Sequence, residues 1–488
     1  MIEVHISITA VAVLVVILIL FLVGLLFYLY PVSSKLITIP GPSISDDREG
    51  NLNDVERAGS LWLYLQDLHG EYGEVTAFKY GQQLVVSVAD HNQFSPRSQI
   101  FHLPELLFEW WGPLVGKESF LYATDIEVFK RRDNIDFKLN STTKASYAKI
   151  FRELSKELVK KWKSLPEGQH IPLTQHLKGL ATKAVCRMLF GDYFKDDADV
   201  LRLYKAWDMC LNEAIASGKD ELTKSKQDVE KGSKVLRTLI QDAIEDRWKK
   251  LKGDSNMETL MDGILAGSSR KMSEEQILSD ATTLLTIGIQ VTSAVLTWTF
   301  YYLSLDFEVQ EELRAKLNEI KSLDIMPETL PDLNYLKCIL KESVRCGEVF
   351  PLAGRQQDMD VTVNEHVVPK QTPILEAVSV AMKEPELWEE PCRFNPSRFE
   401  EKGVKLNPLD FIPFAFGGSR QKPHNSLVYL LTSVSVASIF QELNLTLAGS
   451  PVSYKEWSYE GIVMMPTKEE VWITVNAGSK KKYVETIG

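Results

Sequence analysis

The segment Phe416-Gly417-Gly418-Ser419-Arg420-Gln421-Lys422-Pro423 says most about the fold of this chain. A glycine-rich loop leads to an arginine, one spacer and Lys422, and an apolar run begins at about Ser426. Glycines allow a backbone to approach a neighbouring group closely, and a long apolar run predicts a buried helix. The segment therefore predicts a tight loop at the entrance of a buried helix.

Upstream of this loop, a second apolar run predicts a buried central helix. It opens at Ser273 with the pattern Ser-Glu-Glu-Gln, which is typical of a capping box, and it continues to about Leu305. Residues 281–303 carry no charge and are apolar on most faces, as in a helix inside a protein. A transmembrane helix is the alternative by length, but the threonines and Gln290 in the middle of the run argue against contact with lipid.

Two further segments lie between the central helix and the loop. Glu342-Ser-Val-Arg345 places a carboxylate and a guanidinium one helical turn apart. The segment from Lys383 to Phe399 ends in Pro-Ser-Arg398-Phe. Each segment alone is common, but the four in this order form a specific pattern.

The rest of the body predicts a mainly α fold with two small β-sheet regions. Residues 143–345 have helical periodicity with polar breaks. Alternating apolar residues predict strands at 75–89, at 361–369 and at 471–475. No repeat or linker divides this body, so one domain over residues 50–488 is expected.

The N-terminal region predicts a transmembrane anchor over residues 1–30. The run from Ile6 to Tyr30 contains no charged residue. At about 1.5 Å per residue it is long enough to cross a hydrocarbon core of about 30 Å. A cleaved signal peptide is the alternative, but it would have a basic start and a shorter apolar stretch.

The residues around the anchor predict its orientation. Lys35 follows the apolar run and Glu3 precedes it, which favours a cytosolic body because positive charge stays on the cytosolic side. Residues 31–49, which include Ile39-Pro40-Gly41-Pro42, predict a stiff hinge because proline restricts the backbone.

Composition excludes several classes of protein. The net charge of −11 argues against a nucleic-acid binder, because such proteins usually carry a basic face. The cysteines are odd in number, scattered and without a C-x-x-C pair, which argues against a disulfide framework and a zinc site and fits a reducing, cytosol-facing location. They are Cys186, Cys210, Cys338, Cys346 and Cys392.

The four ordered segments resemble the cytochrome P-450 superfamily, and the resemblance covers essentially the whole chain after the hinge. Within it the chain looks like orphan family twenty, subfamily A, through segments such as Leu84-Val-Val-Ser87 and Glu470-Val-Trp-Ile-Thr-Val475. The resemblance implies a cytochrome P-450 fold preceded by an N-terminal transmembrane helix, with haem as cofactor. It also implies a single-pass protein of the endoplasmic reticulum membrane with its main domain in the cytosol.

The resemblance also implies roles for individual residues. Glu342, Arg345 and Arg398 match a buried charge network beneath the haem. Arginines suit haem propionates because a guanidinium can bind a carboxylate through two hydrogen bonds. A solvated surface arginine is the alternative, above all for Arg132, where the family's tryptophan is replaced by Val128. The residues that match cofactor-binding positions are Arg132, Arg355, Phe416, Gly418 and Arg420.

Lys422 stands where the family has the cysteine whose thiolate ligates iron. A lysine is normally an ammonium, with a pKa of about 10.4 and no lone pair for a metal. Three alternatives remain: no protein ligand, the neutral amine of Lys422, or the imidazole of His424. The loop is also one residue short, since Phe416 lies four rather than five residues before Arg420.

The central helix departs from the family pattern as well. The family's acid and alcohol, which deliver protons to bound dioxygen, are replaced by Gln290 and Val291. Gly288 keeps the small residue that is expected to open the helix over a cofactor. Thr292 is the candidate catalytic residue, although it lies about 100° around the helix from the expected face. A hydroxyl bonded back to its own helix is the alternative for Thr292.

Two functions follow from these residues. The nominal one is a membrane-anchored, haem-dependent monooxygenase that inserts one oxygen atom into a lipophilic substrate, with electrons from a reductase. The alternative is a pseudoenzyme of the same fold that lacks thiolate-ligated haem and acts as a binding or scaffold protein for a small lipophilic ligand. A soluble helical scaffold unrelated to haem would leave the glycine-rich loop unexplained.

Overall fold

The computed structural model describes most of the predicted body and little of the predicted anchor. The described residues are 13, 15–22, 39–89, 104, 106, 112–123, 131, 141–217, 226–253, 259–268, 272–319, 333–400, 422–453 and 456–477. Residues 13 and 15–22 are helical and exposed, and the remainder of the predicted anchor lies outside the described residues.

Helices make up most of the described body, as the sequence predicts. They are α1 (Leu52–Ala58), α2 (Leu61–Tyr72), α3 (Gly112–Val115), α4 (Ser141–Lys163), α5 (Leu173–Phe190), α6 (Asp197–Ser217), α7 (Lys226–Gly253), α8 (Leu260–Ser268), α9 (Glu274–Leu305), α10 (Phe307–Glu319), α11 (Asn334–Cys346), α12 (Val378–Lys383) and α13 (Lys422–Phe440). Two short 3₁₀ turns add Gly191–Phe194 and Pro396–Phe399.

The strands are short and lie mostly in the first and last parts of the body. They are β1 (Val75–Tyr80), β2 (Gln83–Val88), β3 (Ile171–Pro172), β4 (Ala353–Arg355), β5 (Val361–Val363), β6 (His366–Val368), β7 (Ile374–Glu376), β8 (Leu443–Leu447), β9 (Ser458–Glu460), β10 (Val463–Met465) and β11 (Trp472–Ala477).

These strands form four sheets among the described residues, where the sequence predicted two sheet regions. The largest has the order β1-β2-β7-β4, with β2 and β7 parallel and the other pairs antiparallel. A second has the order β3-β11-β8, and β5-β6 and β9-β10 are separate hairpins. The predicted strands in 75–89, 361–369 and 471–475 are confirmed. The sequence missed β8 to β10 because strands of three to five residues leave little periodicity.

Helix α9 forms the centre of the core. Its start is fixed by the predicted capping box, which is confirmed: Ser273 Oγ accepts from the Gln276 N–H at 3.1 Å, and Gln276 Oε1 accepts from the Ser273 N–H at 3.0 Å. Nearly all of its side chains are buried, and α5, α11 and α13 pack against it. Hydroxyls such as that of Thr299 donate to carbonyl groups of the same helix, which satisfies them inside an apolar core.

Helix α9 is also the one helix among the described residues that is long and apolar enough to cross a membrane. Its apolar window is wholly buried inside the protein. The prediction of a core helix rather than a transmembrane one is confirmed for this segment.

Residues 39–41, in the predicted hinge, are fixed to the first sheet. The Pro40 carbonyl accepts from the Ala77 N–H at 2.8 Å and from Thr76 Oγ1 at 2.9 Å. Ile39 is buried beside β1, β2 and the β5-β6 hairpin. A Cβ atom at Gly41 would lie 1.9 Å from the Ala77 oxygen, so only glycine fits this approach. This short piece of chain therefore packs as part of the body.

Candidate functional site

Glu342 is the centre of a buried charge network that joins α11 to the 3₁₀ turn at Pro396–Phe399. Its carboxylate accepts from Arg345 Nε at 2.8 Å, from Arg345 Nη2 at 2.9 Å and from Arg398 Nε at 2.8 Å. The Asn395 N–H donates to the same carboxylate at 2.9 Å. The three residues that the sequence grouped are therefore brought together, and every carboxylate oxygen has a donor.

Arg345 connects this network by hydrogen bonds to the segment that precedes the predicted ligand loop. Its Nη1 donates to the carbonyl groups of Met382 at 2.9 Å and Pro391 at 2.7 Å, and its guanidinium lies over the Trp388 ring. Burial opposes the charge of Arg345, but hydrogen bonds to Glu342 leave its pKa above the ordinary value. Breaking one partner of such a network costs roughly 3–5 kcal/mol. The network therefore ties α11 to the segment that contains Met382, Pro391 and Arg398.

Arg355, a predicted propionate contact on β4, is only loosely paired. Its Nη1 lies 3.6 Å from Glu376 Oε1 on the neighbouring strand β7. Its Nε is buried and has no hydrogen-bond partner among the described residues. Burial raises the pKa of Glu376 to about 7, and the nearby Arg355 offsets only part of this. Arg355 thus has hydrogen-bonding capacity left for another acceptor.

A second buried ion pair, which the sequence did not indicate, joins Arg131 to α9. Arg131 Nε donates to Asp280 Oδ2 at 2.9 Å, and Arg131 Nη2 donates to the Glu118 carbonyl at 2.7 Å. The Phe120 N–H donates to Asp280 Oδ1 at 2.8 Å. Ser119 lies 2.7 Å from Thr283 across the same contact, measured between hydroxyl oxygens. The neighbouring Arg132 lies outside the described residues.

The missing side chain of Gly288 on α9 faces α5. A Cβ atom there would lie 2.9 Å from Val185 Cγ1 and 3.2 Å from Val185 Cγ2. The missing side chain of Gly288 therefore makes room for α5. The role expected of Gly288 beside a cofactor stays a prediction, and the contact with α5 is a separate reason for a glycine at this position.

The positions of the missing acid and alcohol are buried in α9. Gln290 is 4% exposed, and its Nε2 donates to the Glu460 carbonyl at 3.1 Å in the β9-β10 hairpin. Val291 and the candidate catalytic Thr292 are buried as well. Gln290 is therefore committed to a backbone contact, and the role of Thr292 stays a prediction.

The predicted ligand loop lies outside the described residues. This applies to Phe416, Gly418 and Arg420. Lys422 is the first residue of α13, but the side chains of Lys422 and His424 also lie outside the described part. Their proposed contacts with iron rest on the sequence.

No cysteine lies near the start of α13 in the sequence, because the last one is Cys392. The remaining cysteines are buried in α5, α6 and α11. Burial raises the pKa of Cys186 to about 12 and raises that of Cys346, which contacts Arg345 and Glu342. Among the described residues, no group of three His, Cys, Asp or Glu side chains is arranged to hold a metal ion.

Comparison with known proteins decides the family. The family profile described as cytochrome P-450 matches residues 48–468. The chain belongs to the cytochrome P-450 family. It is 31% identical to cytochrome P-450 20A1 of Rattus norvegicus over 467 residues, which cover 93% of this chain and 96% of the rat protein. It is 28% identical to the Homo sapiens protein of the same name over 470 residues, with the same coverage.

Two solved cytochrome P-450 structures share the fold. A zebrafish cytochrome P-450 solved with abiraterone has a TM-score of 0.68 and 20% identity, and the match covers 85% of this chain and 98% of that one. Cyanobacterial CYP120A1 with retinoic acid bound has a TM-score of 0.74 and 15% identity, over 90% of this chain and all of that one.

The resemblance to subfamily 20A is confirmed, and membership implies haem as the cofactor and monooxygenation as the family's reaction.

The residues of this cytochrome P-450 fit haem at one end only. Arg355 has a buried, unpartnered Nε that suits a propionate. At the iron end, Lys422 stands in the ligand position, and a lysine cannot supply a thiolate. The chain therefore does not fit a thiolate-ligated haem.

Proposed function

We propose that this chain is a cytochrome P-450 pseudoenzyme that keeps the family's fold for a small lipophilic ligand and has lost thiolate-driven oxygen activation. Lys422 in the position of the iron-ligating cysteine carries this proposal. A thiolate donates the electron density that favours O–O cleavage, and neither an amine nor an imidazole replaces it in that role.

The centre of α9 supports the same conclusion. A carboxylic acid can release and recover a proton near neutral pH, whereas the Gln290 amide cannot titrate there. The Gln290 Nε2 in any case donates one hydrogen bond to the Glu460 carbonyl. Val291 has no hydroxyl to donate. These residues can hold a ligand and exclude water, but they provide no proton relay.

The proposal also covers how the chain attaches to a membrane and how it is divided into segments. We infer an anchor over residues 1–30, a hinge within residues 31–49 that ends where Ile39 and Pro40 pack on β1, and one domain over residues 50–488, with the domain on the cytosolic side of the endoplasmic reticulum membrane. The uncharged run from Ile6 to Tyr30 supports the anchor. An electron-donating reductase belongs to the second candidate function alone, because a pseudoenzyme needs no electrons.

That second candidate is a working monooxygenase with a lipophilic substrate and a different iron ligand. Family membership and the unpartnered Nε of Arg355 favour it. The iron ligand would then be the neutral amine of Lys422 or the imidazole of His424. Either group would have to be uncharged to bind iron, and burial favours the uncharged form. The two candidates differ in whether oxygen chemistry occurs at all.

The reduced, carbon monoxide-treated absorption spectrum of the purified protein tests the proposal. We expect no Soret band at the position typical of thiolate ligation in the wild-type chain. Lys422→Cys should create that band where the pocket is otherwise intact. Lys468→Cys, which adds a thiol at an exposed position, is the matched control and should not. A thiolate-type band in the wild-type protein would refute the proposal.

A further inference from the structure

Arg355 on β4 and Glu376 on β7 have opposite charges and lie close together without a hydrogen bond between them. Arg355 Nη1 is 3.6 Å from Glu376 Oε1, beyond the roughly 3.2 Å of an ordinary N–H···O bond. The strand register explains the gap, because it places Ala353 rather than Arg355 opposite Glu376, so the two side chains meet diagonally. Arg355 Nε has no hydrogen-bond partner among the described residues. The pair therefore leaves at least one donor of Arg355 unused.

Both charged side chains are accessible from outside the sheet. The exposed fraction is 13% for the Arg355 side chain and 12% for the Glu376 side chain. Their strand neighbours Ile374 and Leu375 are 1% and 0% exposed. The sheet is thus closed around the pair except at the charged groups, where a ligand can reach both.

Arg355 is the one charged group among the described residues that shifts the pKa of Glu376. Desolvation raises this pKa to about 7, and Arg355 offsets part of the increase. Strand β2, on the other side of β7, contributes only uncharged residues to the pairing. Lys383, at the end of the following helix α12, is paired with Glu348. Glu376 is therefore divided between its neutral and charged forms near neutral pH.

We propose that Arg355 and Glu376 form a proton-linked carboxylate site, in which the carboxylate of an apolar ligand binds Arg355 while Glu376 takes up one proton from the solvent. The ligand stays ionised, and none of its bonds breaks. A second anion beside Glu376 favours the neutral form of Glu376, because like charges at one site repel. Protonated Glu376 also gains an O–H donor for the ligand. The proposal rests on the proposed function and deepens it, because it names an acid as the class of lipophilic ligand.

Two sources supply this chemistry, a free lipophilic acid and a haem propionate. The resemblance to the family implies a propionate contact for Arg355 alone. Glu376 adds a second charge that competes with any bound carboxylate for the same guanidinium. Linkage to a proton follows from Glu376 with either source, so the experiment uses one probe for each.

Acids and their methyl esters test the site on the full chain in detergent. Naphthalene-2-acetate and its methyl ester are followed by equilibrium dialysis, and haem and its dimethyl ester by absorbance. Each ester keeps the apolar part and loses the charge. We expect at least one acid to bind about tenfold more tightly at pH 6 than at pH 8, because only the protonated fraction of Glu376 is competent to bind. The affinity of the esters should not change with pH.

Proton uptake provides a second measurement. In weakly buffered solution at pH 8 with an indicator dye, the wild-type chain should take up about one proton for each acid molecule bound. Glu376→Gln should take up none and should bind the acid with an affinity independent of pH. Arg355→Met should lose the acid and keep the ester. Glu365→Gln, at the exposed turn between β5 and β6, is the matched control and should behave like the wild type.

The outcomes separate this inference from the proposed function. Equal acid binding at both pH values, an equal pH effect on the esters, or a pH effect that persists in Glu376→Gln would overturn the inference and leave the pseudoenzyme proposal standing. Absence of acid binding at every pH would also overturn it. A thiolate-type band in the carbon monoxide spectrum would overturn the proposed function without changing the proton uptake. The wild-type comparison of acid with ester decides the question even where a variant fails to fold.

Discussion

Glu376 is a largely buried carboxyl group, with its side chain 12% exposed, and desolvation raises its pKa from 4.5 to about 7. A raised pKa in the folded state means that the protonated form is favoured by folding. The stability that the folded protein gains from the protonated Glu376 is fully present below pH 4.5, and it is lost as the pH rises to about 7. We expect a loss of about 3 kcal/mol in the free energy of unfolding across this window, which Glu376→Gln should remove.

Urea unfolding from pH 4.5 to 8 measures this effect. The difference between Glu376→Gln and wild type should grow in favour of the variant as the pH rises. Glu390→Gln, at an exposed ion pair with Arg393, is the matched control. Parallel stability curves for Glu376→Gln and wild type would contradict the expectation.

Arg131 and Asp280 form a buried pair whose members are 5% and 1% exposed. Arg131→Met should destabilise the protein by roughly 3–5 kcal/mol, because it leaves the Asp280 carboxylate buried without its cation. Arg57→Met removes the same charge from a surface pair with Asp54 and should cost less than about 1 kcal/mol. Chemical denaturation measures the free energy of unfolding of both variants. Equal decreases would show that the buried pair contributes no more to stability than the surface pair.

At the scale of elements, the contact between α5 and α9 depends on Gly288. Gly288→Ala should destabilise the protein by about 1–3 kcal/mol, since a methyl group would lie within 3 Å of Val185. Adding Val185→Ala should recover part of this loss by making room. Thermal unfolding of the two single variants and the double variant gives the coupling energy. Additive effects would mean that the two residues do not meet.

Helices and strands could be predicted where the residues that determine them lie within one segment of the chain. The capping box at Ser273 and the end of α9 at Leu305 follow from neighbouring residues, so both could be read from the sequence. The grouping of Glu342 with Arg398 needed the family pattern, because the two residues lie far apart in the chain. Nothing in the sequence indicated that Gln290 meets Glu460, since that contact depends on how a hairpin packs against a helix.

The same limit explains why Gly288 and Arg131 were only partly understood from the sequence. Gly288 was assigned to a cofactor because small residues at this position of the family pattern leave room for one. The close approach of Val185 is an equally good reason for a glycine there. Arg131 was not singled out, although it lies beside Arg132, because its partner Asp280 lies in a distant helix. A single sequence shows which residues are unusual but not which of their possible neighbours they contact.

At the scale of the whole molecule, the proposed anchor should decide where the protein resides in a cell. Deleting residues 1–30 should release the body from membranes, because Ile6 to Tyr30 is a long apolar run without charge and the other long apolar helix, α9, is buried. Deleting residues 478–488 instead should leave the protein in the membrane fraction. Sedimentation of membranes after an alkaline wash measures both, and tight binding of the shortened chain would reveal a second membrane-binding surface.

The attachment of Pro40 to β1 limits how the body can be tethered. If the anchor ends at Tyr30, only residues 31–38 connect it to the fixed segment at Ile39, and they can span at most roughly 30 Å when fully extended. The sheet edge at β1 must then remain within that distance of the lipid surface. With such an anchor, the body would be restricted to orientations in which this edge faces the membrane and the opposite side of the molecule points away from it.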